Sequence, residues 1–202
     1  MDTTIRVFRL NEKEYNGHTL DHKGRASMKR FYLPTEIITG AGVFNELGTH
    51  AARYGARAML VCGPHFLRAS GRLDRALGLL HDAGLITALY DAVSGEPTLD
   101  LIQAGLDRAR AAQADLVIGI GGGSAIDAAK AIAGLYTHPG TVYETHRGEK
   151  KVSGGGLPLI ALPTTAGTGA EVTKNAVLLD DEQQNKASLR DDGWYARVAL
   201  VD

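Results

Sequence analysis

The sequence predicts an α/β fold, a parallel sheet with helices on both faces. Three observations carry this. From Phe31 onward, short apolar runs alternate with segments of helical period. Several of those runs lack the polar alternation of a half-exposed strand, so they are read as strands covered on both sides. Glycine clusters stand where strands hand over to the next element.

The elements follow in order. Glu36-Ile37-Ile38-Thr39-Gly40 reads as a short strand and turn, Val43 to Tyr54 as a helix, and Ala58-Met59-Leu60-Val61-Cys62 as a buried strand. Leu73 to Ala83 is helical, with Leu77, Leu79 and Leu80 apolar, and Leu85 to Tyr90 is a strand. Thr98 after Pro97 opens a helix through Ala111, with Leu101, Ile102, Leu106 and Ala109 on one face. Asp115 to Ile120 is the next strand, followed by a helix capped by Ser124 and running over Ala125 to Ala133. Thr137 to Gly156 is polar and glycine-rich and reads as a surface loop. Leu157 to Leu162, Asn175 to Leu179 and Ala196 to Val201 read as further strands. Residues 1–30 are polar, with weak alternation at Ile5, Val7 and Leu10 and a hairpin-type Asn16-Gly17. They are read as an N-terminal arm, and 31–202 as the α/β domain.

Composition narrows the function. The chain has 202 residues, 44% hydrophobic and 22% charged, enough for one substantial core without disulfides. A net charge of −1 gives no electrostatic case for nucleic acid or an anionic membrane. The single cysteine, Cys62, excludes an intrachain disulfide and reads as a small core residue. With no membrane-length apolar stretch and no signal-peptide pattern at its start, the expected location is the cytoplasm.

Two loops carry the chemistry. The first is Gly119-Ile120-Gly121-Gly122-Gly123-Ser124, ahead of Asp127 and Lys130. Glycine lets a backbone take positive φ and approach a ligand. The first amides of the following helix have no internal partner and attract an anion. The competing reading is a tight turn that needs glycine for steric reasons alone, but three consecutive glycines exceed that need. The second loop is Pro163-Thr164-Thr165-Ala166-Gly167-Thr168-Gly169, whose hydroxyls suit ribose and phosphate oxygens. Its competing reading is a threonine turn bonded to its own backbone. For Asp127 and Lys130 the competing reading is a solvated helix face with a local ion pair. Two such loops at strand ends imply an elongated phosphorylated ligand such as a dinucleotide.

The spacing Gly119-x-Gly121-x-x-Ser124 nearly matches the dinucleotide fingerprint, but it follows the fourth strand rather than the first, and its acidic partner would fall near Glu144 in a loop. A standard Rossmann domain is therefore rejected, leaving a Rossmann-like nucleotide-binding domain. No G-x-x-x-x-G-K-[ST] is present, which disfavours a P-loop NTPase. His18 and His22 have metal-ligand spacing only if helical, which Gly17 and Gly24 oppose. His65, His138 and His146 read as isolated surface residues. No convincing metal site and no well-placed general base are found.

Taken together, the chain from about Phe31 to Asp202 resembles the iron-containing (group III) alcohol dehydrogenase family, related to dehydroquinate synthase and glycerol dehydrogenase. Pro34-Thr35, Gly121-Gly122-Gly123-Ser124 with Asp127 and Lys130, Pro163 to Thr173, and Lys186 carry the likeness. The resemblance implies that Gly121, Gly122, Gly123 and Ser124 hold the coenzyme diphosphate, that Thr164, Thr165 and Thr168 line the adenosine and nicotinamide side, and that Lys186 reaches ribose or phosphate. It implies hydride transfer between an alcohol or aldehyde and NAD or NADP, with Fe2+ or another divalent metal as Lewis acid. It places the metal ligands, one Asp and three His, in a C-terminal helical domain. This chain is expected to end before that domain, and so not to support metal-assisted turnover alone. Gly63 aligns with the Asp that many NAD-using members carry. Losing that carboxylate removes repulsion of a 2′-phosphate, so NADP is expected to bind at least as well as NAD, with Arg68 or Arg72 as phosphate partner. A non-catalytic NAD(P)-binding module, a maleylacetate reductase-like enzyme and a dehydroquinate-synthase-like lyase are the alternatives. Self-association, as a homodimer, is also expected.

Overall fold

A computed structural model describes residues 32–153 and 155–202. The expected arm at 1–30, its Asn16-Gly17 turn and the His18/His22 pair lie outside the described residues. Eight strands and six α-helices follow one another in the described chain. They are β1 (Glu36–Thr39), α1 (Leu47–Ala51), β2 (Arg57–Cys62), α2 (Phe66–Ala69), α3 (Arg72–Asp82), β3 (Ile86–Tyr90) and α4 (Leu99–Ala111). Then come β4 (Leu116–Gly121), α5 (Gly123–Leu135), α6 (Val142–His146), β5 (Leu159–Pro163), β6 (Asn175–Asp180), β7 (Asn185–Arg190) and β8 (Val198–Val201).

Six strands form one all-parallel sheet in the order β1-β8-β5-β4-β2-β3. Side chains on a strand point alternately to opposite faces. Met59, Val61 and Val117 accordingly join the core under α4 and α5, while Leu60, Cys62, Ile118 and Ile120 join the core under α1 and α3. That double cover explains the continuous apolar runs of β2, β4 and β5. β6 and β7 make a separate antiparallel hairpin whose Ala176, Leu178 and Leu189 pack into the α4–α5 core.

Three expectations need correction. The expected helix from Val43 to Tyr54 is a 3-10 turn over Val43–Glu46 continued by α1, which stops at Ala51. The expected surface loop 137–156 contains α6, with Thr141 and Glu144 forming a reciprocal capping box at its start. His138 and His146 are buried, not on the surface. Thr145 Oγ1 lies 3.0 Å from His138 Nε2, and His146 Nε2 lies 3.3 Å from the Leu178 carbonyl oxygen. The first contact ties α6 to the segment that precedes it, and the second seats it against the hairpin.

After β2 the chain leaves toward α3 on one face of the sheet. After β4 it leaves toward α5 on the other. A crevice opens between the carboxyl ends of adjacent strands whose connections diverge in this way, and ligands of open α/β sheets bind there.

Candidate functional site

The turn between β4 and α5 floors this crevice. Gly121 has φ +151, a conformation L side chains rarely adopt, and a Cβ there would stand 2.7 Å from Ala125 Cβ. Gly122 is extended (φ −76, ψ −175) and occupies the N-cap position. The Ser124 cap expected from the sequence is therefore displaced by two residues, and Ser124 sits inside the first turn. Glycine makes this possible: α5 begins at Gly123, where a Cβ would lie 2.9 Å from Thr168 Oγ1. No side chain caps this helix end, so its first amides stay directed at the crevice.

The second loop leaves β5 and crosses directly above. Thr164 N donates to the Gly121 carbonyl oxygen at 2.9 Å, tying the two loops at their roots. Thr168 Oγ1 accepts from Ala170 N at 3.3 Å, so one threonine does serve its own turn. The hydroxyls of Thr164 and Thr165 make no hydrogen bond among the described residues, and both side chains are exposed.

Three cavities run end to end along these strand ends. The central one, about 530 Å³, is lined by Gly63, Phe66, Val93, Gly121 to Ala125, Thr164 and Thr165. It shares Phe66, Leu67, Ile120 and Thr164 with a bay of about 380 Å³ that Arg72, Arg75 and Asp202 also line. On its other side it shares Gly123 and Ser124 with a bay of about 260 Å³ walled by Glu96, Asp127, Thr168 and Lys186. Every cofactor-site residue expected from the sequence therefore lines this trough of three adjoining cavities. Phe66, Val93 and Glu96 were missed, because only the fold brings the ends of β2 and β3 to the glycine turn.

Within the trough, Lys186 projects from β7 and pairs with Glu96. Asp127 accepts from Val177 N at 3.1 Å, and its carboxyl is pushed up by burial, against the lowering pull of that amide and of Lys130. Asp127 and Lys130 are thus not a solvated face, and Lys130 is fully buried. Gly63 follows β2 directly, and a Cβ there would stand 3.0 Å from the Val93 carbonyl oxygen. Beside it, burial and then the Asp91 charge push the Cys62 thiol up to about 11, so it stays protonated and unreactive. Of the two arginines considered for a phosphate, Arg68 is held by Asp91 at 2.6 Å. Arg72 makes no ion pair among the described residues and lies over the Phe66 ring, 5.8 Å from its centroid.

Fold and trough together define a parallel α/β unit with an elongated crevice at its strand ends. A family model for iron-containing alcohol dehydrogenase matches residues 34–202, and the chain belongs to that family. It is 32% identical over 175 residues to the NAD-dependent methanol dehydrogenase of Bacillus methanolicus, covering 87% of this chain and 46% of that protein. To the NADPH-dependent butanol dehydrogenase of Clostridium saccharobutylicum it is 34% identical over 177 residues, covering 87% and 45%. Sulfoacetaldehyde reductase from Bifidobacterium kashiwanohense, solved in complex with NAD+, superposes with a TM-score of 0.79 at 30% identity, covering 87% of this chain and 46% of that one. The chain spans about half the length of the curated relatives it matches, their N-terminal part. Iron finds no donor set here: among the described residues, no group of three or more His, Cys, Asp or Glu is placed to hold a metal ion. No helix among them is long and apolar enough to cross a membrane.

Proposed function

We propose that residues 31–202 form the coenzyme-binding unit of a nicotinamide-dependent alcohol dehydrogenase, and that NADP is bound at least as well as NAD. The observation that carries this is the junction of the two loops. The Thr164 N–Gly121 O bond brings the uncapped N-terminus of α5 and the unbonded hydroxyls of Thr164 and Thr165 to one wall of the same trough. Amides from Gly122 to Ser124 suit a diphosphate, whose charge the helix N-terminus stabilises by roughly 0.3–1 kcal/mol or more when partly buried. Thr164, Thr165 and Thr168 offer hydroxyls to phosphate and ribose, and Lys186 and Asp127 offer a donor and an acceptor in the adjoining bay. A bound nicotinamide coenzyme supplies the hydride acceptor or donor. The protein's own part is to grip the coenzyme and fix its orientation in the trough.

The NADP reading rests on Gly63, which leaves no carboxylate at the end of β2, and on Arg72, which is free of the ion pair that engages Arg68. The buried thiol suits a reducing cytoplasm, and a homodimer is the assembly proposed for the whole enzyme. Fluorescence titration of the chain with NADPH and with NADH tests the reading. Saturable binding of both, NADPH at least as tight, is expected. Absence of saturation with either would end it, and a clear NADH preference would end the NADP part.

A further inference from the structure

Lys130 is the largest fully buried side chain of the molecule's described part, and its neighbours are not a carboxylate pair in the ordinary sense. Its Nζ donates to the Ala170 carbonyl oxygen at 2.7 Å, to the Asn175 carbonyl oxygen at 2.8 Å and to Thr173 Oγ1 at 3.1 Å. Asp127 Oδ1 stands 3.8 Å away. Three N–H groups therefore meet three acceptors. All three lie on the stretch that carries the threonine loop into β6, whereas Lys130 itself sits on α5, two turns after the glycines. We propose that Lys130 is a positioning residue: its ammonium clamps the Ala170–Asn175 stretch to α5 and so fixes the gap between the two loops that grip the coenzyme. The proposal rests on the coenzyme reading above.

The gap leaves little slack. A Cβ on Gly123 would lie 2.9 Å from Thr168 Oγ1, and one on Gly122 3.4 Å from Thr165 Oγ1. Movement of the clamped stretch by a fraction of an ångström therefore changes what fits between the loops. The clamp is also a titratable one. Burial pulls the ammonium down to about 8, against the supporting charges of Asp127 and Glu171. Among the described residues, no other charge faces it. β4 and β5 carry no ionisable side chain, and those of α4 are exposed. Asp180, at the far end of β6, is held by Arg147, Asp192 pairs with Lys174, and Arg57 of β2 is exposed. A neutral amine has two N–H groups for these acceptors and loses the charge that roughly doubles the strength of each bond.

Titration of the full chain with NADH between about pH 7 and about pH 9.5 tests this. NADH, lacking the 2′-phosphate, keeps coenzyme ionisation out of the comparison. Wild-type affinity is expected to fall about five-fold or more with a midpoint near pH 8, since charge-assisted bonds are about twice as strong as neutral ones. Lys130→Met, which offers these acceptors no N–H at all, is expected to bind at pH 7 at least as weakly as wild type at the alkaline end, with no pH dependence. Thr173→Val removes one acceptor of the charged form, so its midpoint is expected to move to lower pH. A purely structural lysine would not give that displacement. Flat wild-type affinity, a Lys130→Met protein that binds like wild type, or an unshifted Thr173→Val midpoint would each overturn the proposal. Should Lys130→Met not fold, the wild-type and Thr173→Val profiles decide. Should wild type bind neither coenzyme, the coenzyme reading fails. Hydrogen exchange of amides 168–175 then judges the clamp alone: protection is expected to drop about ten-fold in Lys130→Met, and unchanged protection would refute it.

Discussion

Gly122→Ala separates a glycine needed by the turn from a glycine needed by a ligand. The backbone at Gly122 is extended, φ −76 and ψ −175, and any L residue adopts it without strain. The added Cβ would stand 3.4 Å from Thr165 Oγ1 and 3.7 Å from Thr165 Cγ2, a tight contact that the exposed threonine rotamer can relieve. Folding should therefore be nearly indifferent. Alanine at an N-cap costs up to about 1 kcal/mol relative to good caps, and replacing glycine returns roughly 0.4–1 kcal/mol through the unfolded chain. The melting temperature is expected to move by no more than about 2–4 °C. The coenzyme is another matter, because the methyl group enters the space between the two loops. Loss of one charge-assisted hydrogen bond to the diphosphate costs about 1.5–3 kcal/mol, or roughly 10- to 150-fold in affinity. Thermal melts read the first effect and NADPH titration the second. Unchanged melting with unchanged affinity would mean that no anion sits between the loops and that the glycine run serves the turn alone.

Gly121→Ala is expected to behave in the opposite way: positive φ and a Cβ 2.7 Å from Ala125 Cβ together cost about 2–3 kcal/mol, read as a melting point lower by about 5–10 °C. Gly63→Asp is expected to weaken NADPH relative to NADH by about ten-fold or more, because two like charges within hydrogen-bonding distance of one ribose repel. Both affinities are expected to drop somewhat, since the Cβ would crowd the Val93 carbonyl at 3.0 Å; an unchanged ratio in paired titrations would contradict the role given to Gly63. Acid stability has its own marker in Arg147, whose guanidinium contacts Asp180 at 2.8 and 3.2 Å and holds that carboxyl below the usual carboxylate range. The folded state thus takes up this proton less readily than the unfolded chain. The stabilisation is present above the ordinary carboxylate value of about 3.9 and is lost as pH falls through the folded value. Asp180→Asn is expected to be less stable at neutral pH and to show a flatter acid limb by circular dichroism. An acid limb as steep as wild type would count against this.

The sheet was legible because burial on both faces leaves an unambiguous pattern, as in Leu116 to Ile120 and Leu159 to Leu162. The two loops were legible because glycine and threonine runs have few other uses at strand ends. What escaped was decided at longer range or by competition within a turn. Ser124 is a better capping residue than Gly122, but the approach of Thr168 to Gly123 starts the helix early, and local preference yields to that packing. For Lys130 the solvated helix face was the competing reading, and what excludes it lies at long range: its acceptors are 40 to 45 residues away and invisible to periodicity. α6 could have been found, since Thr141 with Glu144 three residues later is a start signal that the surrounding polar composition obscured. β7 is polar on most of its length and announces itself only through its pairing with β6.

A crystal structure of this chain with NADPH bears most directly on the central claim. The expected result places the diphosphate oxygens within about 3 Å of the amides of Gly122, Gly123 and Ser124, with the hydroxyls of Thr164 or Thr165 on the same ligand. A coenzyme bound away from the β4–α5 turn, or one whose diphosphate touches neither loop, would contradict it.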